Sequence, residues 1–419
     1  MTASFPAVDS HAHAFDPVRF RSLFPALSLT VNGHPAAFFD GPGGSQVPEA
    51  VIAATREYYV SRNANTHGQF LTSRRADETV AEARQAAAAL LGAEGPETIS
   101  FGQNMTTLNF ALARAIGRTL RPGDEIVVTE LDHDANVAPW LSLAERGAVL
   151  RWCPVRLDSC TLDMDAMRAL IGPKTRHIAV GYASNAVGTV NDVGEVVRLG
   201  HAVGATVSID AVHFVPHGLV DVQALGADFL LCSAYKFFGP HVGILYSRPG
   251  ALDELPTDRV RPQDATAPTR IETGTLNHAA LAGTTAAIET IAGQGVGADL
   301  RTRIESAFAA IYPYEHALAG RLWQGLAEIP GVTLYGPVVG SALRAPTISF
   351  RIQGHEPAAI AAILGEQGFF VWDGDFYAVT VIDRLGLADK GGVVRVGMAP
   401  YILEAEVDAL LAAVRNIAD

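Results

Sequence analysis

Residues 229–248 read FLLCSAYKFFGPHVGILYSR. Apolar residues fill both ends, and Lys236 stands between Tyr235 and Phe237 in the middle. Burying an ammonium is costly unless it is paired or loses its charge. A buried lysine with a depressed pKa is a nucleophile and a Schiff-base former. The other reading is a snorkelling side chain, with its stem on apolar surface and its head in water. The stretch has the form of a strand, a turn and a second strand, so its surroundings decide between the two.

Upstream of it the pattern alternates. ATVSIDAV, TRHIAVGYAS, VLRWCPV, DEIVVTE and TISFG read as strands. DVGEVVRLGHAVG, DMDAMRALIG, ANVAPWLSLAERGA, NMTTLNFALARAIGRTL and DETVAEARQAAAALLGA read as helices. Such alternation implies βαβ units and a mostly parallel sheet of an α/β protein. Several of the strands are continuous apolar runs, as expected when helices cover both sheet faces. Ligands then bind at the carboxyl ends of the strands. Beyond about residue 300 the texture changes. A long helical region, expected to break near Pro313, precedes VTLYG, APTISFRI, HEPAAIAAILGEQG, FFVWDG, VVRVGM and a last helix. The expected division is a large domain over residues 31–300 and a small α+β domain from residues 1–30 and 301–419.

The 419 residues are 49% hydrophobic and 18% charged, enough for a large core and a second, smaller one. A net charge of −13 without any basic run argues against nucleic acid or an anionic membrane as partner. No run of about 18 apolar residues is present, so no membrane span is expected. The first residues lack the pattern of a secretory signal. Three cysteines, an odd and low count, suit reduced thiols and a cytoplasmic location.

Asp210 closes the strand ATVSID, and Lys236 follows the strand DFLLCSA. Both fall at carboxyl strand ends, where they can face one cleft. A carboxylate and a Schiff-base lysine in one site point to pyridoxal phosphate (PLP), the Asp keeping the ring nitrogen protonated. A plain Asp–Lys ion pair is the alternative. In FGQNMTTLNF a strand turns into a helix at Asn104, and Asn104, Met105 and Thr106 are candidate phosphate donors. Simple helix capping by Asn104 explains the same residues. His133, in TELDHDANV, follows another strand and suits ring stacking or proton transfer. It also suits a surface loop.

Together the segments ELDHDANVAPW, SIDAVHFVPHG, SAYKFFGPHVGILY and RIETGTLN resemble the class V aminotransferases of PLP fold-type I. Within that family the chain is most similar to the cysteine desulfurase and selenocysteine lyase branch. The resemblance implies a seven-stranded sheet flanked by helices. It also implies catalytic roles for Lys236, the Schiff-base lysine, for Asp210, the ring-nitrogen partner, and for the stacking His133. Asn185 matches an Asn beside the ring oxygen, and His213 stands where the family has a Gln. Ser233 matches a phosphate ligand, with Tyr235 in place of a phosphate-binding His. Thr275 matches a residue that reaches the phosphate from a neighbouring subunit, which implies a homodimer. Arg395 matches the Arg that grips the substrate carboxylate of a small amino acid.

Desulfurases of the branch carry a nucleophilic cysteine in a GHHCA-like loop. Here that region is residues 369–379, FFVWDGDFYAV, and it has no Cys. Cys153, Cys160 and Cys232 all lie in the expected large domain. A lyase or β-elimination reaction without a persulfide is therefore expected, with an aminotransferase or epimerase as the alternative. Trp372, Asp373, Asp375, Phe376 and Tyr377 either wall a substrate pocket or merely close the small domain. His67 replaces an Arg the family often has. His11 and His13 form an H-x-H pair like those of some metal hydrolases, but no apolar strand follows them. A non-enzymatic member of the fold is expected to have lost the Lys or the Asp, and both are present.

Overall fold

The computed structural model describes residues 14–340 and 343–419. Seven strands build the central sheet: β1 (Ile99–Gly102), β2 (Glu125–Thr129), β3 (Val149–Cys153), β4 (Thr175–Gly181), β5 (Thr206–Asp210), β6 (Phe229–Ser233) and β7 (Gly243–Ser247). Their spatial order is β1-β7-β6-β5-β4-β2-β3. Strands β2 to β6 pair in parallel. β7 runs antiparallel to both its neighbours. The short turn after β6 explains this: a parallel return needs a crossover of a dozen or so residues. All residues of β2, β6 and β7 are buried, whereas the edge strand β3 alternates exposed and half-buried positions.

Helices cover both faces. Leu71–Leu91 starts earlier than its Ala-rich pattern suggests and ends on Gly92, whose φ of +66° closes the helix in the left-handed region. Ala83, Ala86 and Ala87 are buried on it, and it packs against His278–Ala292, which buries Gly283 and Ala287. Small residues let the two helices approach closely.

Two expectations are corrected. The helix Leu300–Ala327 runs unbroken through Pro313. A proline inside a helix costs ~3 kcal/mol. An Asp299 capping box and the buried stripe Ile304, Phe308, Ile311, Leu318 and Leu322 hold the helix together nonetheless. By contrast, the segment expected as one helix over 135–148 splits into 3-10 turns at Asp134–Asn136 and Ser142–Arg146 around a single turn, Ala138–Leu141. Pro139 near the start of that turn and Gly147 after it (φ +87°) leave no room for a longer helix.

A four-stranded antiparallel sheet follows: β8 (Val332–Tyr335), β9 (Thr347–Ile352), β10 (Trp372–Gly374) and β11 (Val393–Gly397), ordered β8-β9-β11-β10. The beginning of the described chain ties the two parts together. Phe20 and Phe24 meet Phe238 edge to face, and Phe24 meets Tyr401 in the same way. Ala37–Phe38 pairs in parallel with Phe369–Phe370, so the chain touches its C-terminal region before it enters the large sheet. Among the described residues, no helix is long and apolar enough to cross a membrane.

Candidate active site

The carboxyl ends of β2, β4, β5 and β6 open onto one cleft of about 590 Å³, counting its open mouth. Asp210 is the last residue of β5, and its Oδ1 accepts from Val212 N–H at 2.9 Å. Burial pushes its carboxyl up to about 6, while that N–H and the Lys236 charge pull it down. Lys236 ends the 3-10 turn Ala234–Lys236 that follows β6. The turn is pinned by Ala234 N–H to the Val242 carbonyl at 2.8 Å, and by Phe237 and Gly239 N–H to the Ala234 carbonyl. Lys236 Nζ donates to the Pro42 carbonyl and stands 4.9 Å from the centre of the Tyr235 ring. Burial, helped by the Arg395 charge, lowers its amine to about 7, against the opposing pull of Asp210 and Asp40. The Lys236 head is held at a backbone carbonyl inside the cleft rather than extended into solvent.

Asp132 clamps the ends of β2 and β4 together. Its carboxylate accepts from Thr129 Oγ1 and Asn136 Nδ2 at 2.8 Å and from Gly181 N–H at 3.0 Å. A Cβ on Gly181 would stand 2.8 Å from Asp132 Oδ1, so a larger residue would push the clamp open. Burial raises Asp132 to about 7 even with these donors present. The next residue, His133, lines the cleft. Its Nδ1 accepts from Ala135 N–H at 3.0 Å, which leaves the proton of the neutral ring on Nε2. Burial, with the Lys236 and Arg395 charges, lowers the imidazole to about 4.

The helix Met105–Gly117 points its first turn at the cleft. Asn104 Oδ1 caps it through Thr107 N–H at 2.9 Å, and Met105 N–H donates to Ser233 Oγ at 3.0 Å. The capping reading of Asn104 thus holds for its side chain. Thr106 N–H has no protein acceptor among the described residues, and Thr106 lines the cleft. Gly243 makes this possible, because a Cβ there would lie 2.4 Å from the Asn104 backbone. Tyr235 also lines the cleft, its ring stacked on His241 at 4.6 Å.

The small sheet contributes the opposite wall. Arg395, buried on β11, donates from Nη1 to the Asn185 carbonyl at 3.1 Å and lies 4.0 Å from the centre of the Phe376 ring. Its Nε, Asn185 Oδ1 and Asp40 Oδ1 are buried without a hydrogen-bond partner. Burial lowers the guanidinium to about 9 and raises Asp40 to about 6, and each charge favours the other. Phe376 and Tyr377 both hold φ at +57°, a strained left-handed conformation for large side chains. The loop is bonded across the cleft. Asn185 Nδ2 donates to the Phe376 carbonyl at 2.9 Å, and Asp134 N–H to the Tyr377 carbonyl at 2.7 Å. The Tyr377 ring stacks on His133 with centroids 5.5 Å apart.

Asn104, Met105, Thr106, His133, Asn185, Asp210, His213, Ser233, Tyr235 and Lys236 therefore share one cleft. Arg395 joins them through Asn185. Thr275 does not: it is exposed, in a surface depression that it shares with Gln103, Thr107 and His241. A buried ion pair anchors its segment, Arg84 gripping both oxygens of Glu272 at 2.8 and 2.7 Å. His67 is exposed beside Asp77, away from the cleft, in a second depression with Thr275. His11 and His13 lie outside the described residues. Sequence reading missed Asp40 and Asp132; it offered Phe376 and Tyr377 as pocket walls or as closure of the small domain, and left the contacts to Arg395 and His133 unseen. ELDHD held the only local signal for Asp132, an acidic residue next to the candidate His.

The aminotransferase class-V family model matches residues 37–410. The chain belongs to the aminotransferase class-V family. It is 36% identical to a probable cysteine desulfurase of Mycolicibacterium paratuberculosis over 98% of its own length, although it spans 59% of that relative. It is 34% identical to a cysteine desulfurase of Dickeya dadantii, covering 95% of this chain and 96% of the other. The apo cysteine desulfurase of Thermococcus onnurineus NA1 has the same fold, with a TM-score of 0.86 at 28% identity over 97% of this chain and 99% of that one. Class V membership implies PLP, and the cleft fits it. A lysine amine lowered to about 7, a buried carboxylate, a free helix N-terminal N–H and the orphaned Asn185 Oδ1 supply the donor and acceptor set.

Proposed function

We propose that the chain is a PLP-dependent, cysteine desulfurase-like enzyme that removes a β-substituent from a small amino acid without forming a cysteine persulfide. When bound, PLP supplies the electron sink for the pair left at Cα once its proton is gone. Lys236 is the residue that would hold the cofactor and, through Nζ, take the Cα proton. The substituent would leave Cβ with its bonding electrons while the pair at Cα forms the Cα–Cβ double bond. Asp210 would face the ring nitrogen, where a cationic N–H favours the charged carboxylate. His133 would cover the ring. Thr106, Ser233 and Tyr235, with the Asn104 and Met105 backbone, are the candidates for the phosphate end. Asn185 and His213 are candidates for the remaining ring edge. Arg395 would bind the substrate carboxylate, using the donors that now lack partners.

The observation that carries the persulfide-free reading is the roof. Tyr377, not a thiol, stands over His133. Cys153, Cys160 and Cys232 are buried, and none lines the cleft. Burial pushes Cys153 up to about 12 and raises the other two, which suppresses the thiolate that a nucleophile needs. A homodimer completes the reading. Thr275 of a second copy is the candidate for the phosphate end, and exposed Tyr59, Val60, Phe70 and Leu71 offer apolar surface to bury. The division into domains at 31–300 and 301–419, with 1–30 joining the latter, and a cytoplasmic location belong to the same proposal.

The test is a screen of small amino acids read by product mass. Pyruvate together with free sulfide from a cysteine-like substrate supports the lyase, whereas alanine, which leaves the sulfur two electrons poorer and needs a thiol to take it, overturns the persulfide-free reading. Keto acid appearing together with an aminated acceptor makes the protein an aminotransferase instead. Loss of optical activity alone makes it an epimerase.

A further inference from the structure

His213 lines the cleft, and its support reaches far behind it. Its Nε2 lies 2.9 Å from Thr347 Oγ1 on β9. Its ring meets His217 edge to face, with centroids 5.5 Å apart and planes at 73°. His217 Nδ1 lies 3.1 Å from both carboxylate oxygens of Glu315. Glu315 is wholly buried on the helix Leu300–Ala327, two residues after Pro313.

A carboxylate accepts hydrogen bonds and donates none, so the hydrogen between the two groups resides on His217 Nδ1. This settles the orientation of the His217 ring. The arrangement is expensive, because a buried acid beside a buried imidazole is rarely more stable than well-packed apolar side chains. Glu315 and His217 are absent from the cleft lining, and His213 is the cleft residue that they reach.

We infer that Glu315 and His217 are positioning residues that, together with Thr347, hold the His213 ring in one orientation against the bound cofactor. The inference rests on the PLP reading. With Nε2 engaged by Thr347, Nδ1 is the ring nitrogen that has no protein partner among the described residues. Burial holds His213 well below the ordinary imidazole range. The charged groups that face it act in the same direction: His217 from its own segment, Lys236 from the turn after β6, and Arg395 from β11. His213 is thus a neutral ring whose free nitrogen faces one direction only while its neighbours hold the ring.

Glu315→Gln in the PLP-loaded protein tests this. Glutamine keeps an acceptor for Nδ1–H and removes the charge. The PLP content is expected to stay the same, while the pH midpoint of the bound cofactor's visible band moves by roughly half a unit or more. In a His213→Gln background the same substitution is expected to move nothing, since the route to the cofactor is gone. Equal shifts in both backgrounds, or no shift in either, overturn the inference. Thr347→Val is the second probe and carries the test alone if Glu315→Gln does not fold. Its shift must also vanish in the His213→Gln background. A wild-type protein that gains no visible band with PLP overturns the PLP reading and the inference with it. A normal wild-type band with unmoved variants overturns the inference alone.

Discussion

At the floor of the cleft, Asp210, Ser233 and Lys236 end or follow parallel strands, and backbone hydrogen bonds of the sheet and its turn place them: Tyr182 N–H to the Asp210 carbonyl at 2.7 Å and Ala234 N–H to the Val242 carbonyl at 2.8 Å. At its roof, Phe376 and Tyr377 sit on a short loop in left-handed conformations, held by contacts to Asn185, Asp134 and His133 from the other side of the cleft. The floor is rigid because the sheet makes it so. The roof is strained, and it keeps its shape only while it stays docked. On the proposed reading, cofactor chemistry belongs to the floor and the choice of reaction to the roof.

That contrast can be broken in order of severity. Lys236→Ala is expected to abolish the visible band of the PLP-loaded protein, and a retained band would remove Lys236 from its role. Asp210→Ala is expected to keep the cofactor but lower turnover by roughly 10²-fold or more. Near-normal rates would show that the floor does not tune the ring. Phe376→Ala removes the aromatic face from Arg395, a contact worth ~0.5–2 kcal/mol. It should raise KM several-fold and leave the visible band alone. A changed band with unchanged KM would put the roof in the floor's role.

The pH dependence sharpens the floor. With its amine lowered to about 7 from 10.5, Lys236 is protonated below that point and a free nucleophile above it. The rate at which cofactor-free protein takes up PLP should climb up to about pH 7 and then level off. A climb that continues to pH 10 would mean an ordinary, solvated lysine. The smallest effect is expected from the thiols. Alkylating reagents applied to the folded protein should leave turnover unchanged, since the three cysteines are buried. Inactivation by such a reagent would return a persulfide route to consideration.

Much of the floor was legible in the sequence because it is local. An apolar strand ending in Asp210, and another followed by Lys236, announce a cleft from spacing alone. Asp132 and His133 are neighbours in the chain, yet only His133 stood out, because Asp132 acts by holding the Gly181 backbone of a different strand. Asp40 was not legible as a site residue, Phe376 was legible only as a candidate pocket wall, and Glu315 not at all. Each matters through a side chain distant in sequence: Arg395 for the first two and His217 for the third. The long helix taught the same lesson in reverse. Pro313 is a local break signal, and packing along the buried stripe overrode it.

By itself the sequence determined the alternating α/β architecture and the residues gathered at its strand ends, because strand period, turn residues and apolar runs act over a few residues. It also determined that no cysteine stands in the loop at 369–379. Only the tertiary structure decided what that loop touches. Tyr377 over His133, Phe376 on Arg395 and the buried Glu315–His217 pair behind His213 are contacts between segments brought together by folding. Their energies depend on burial and distance, which no short stretch of sequence contains.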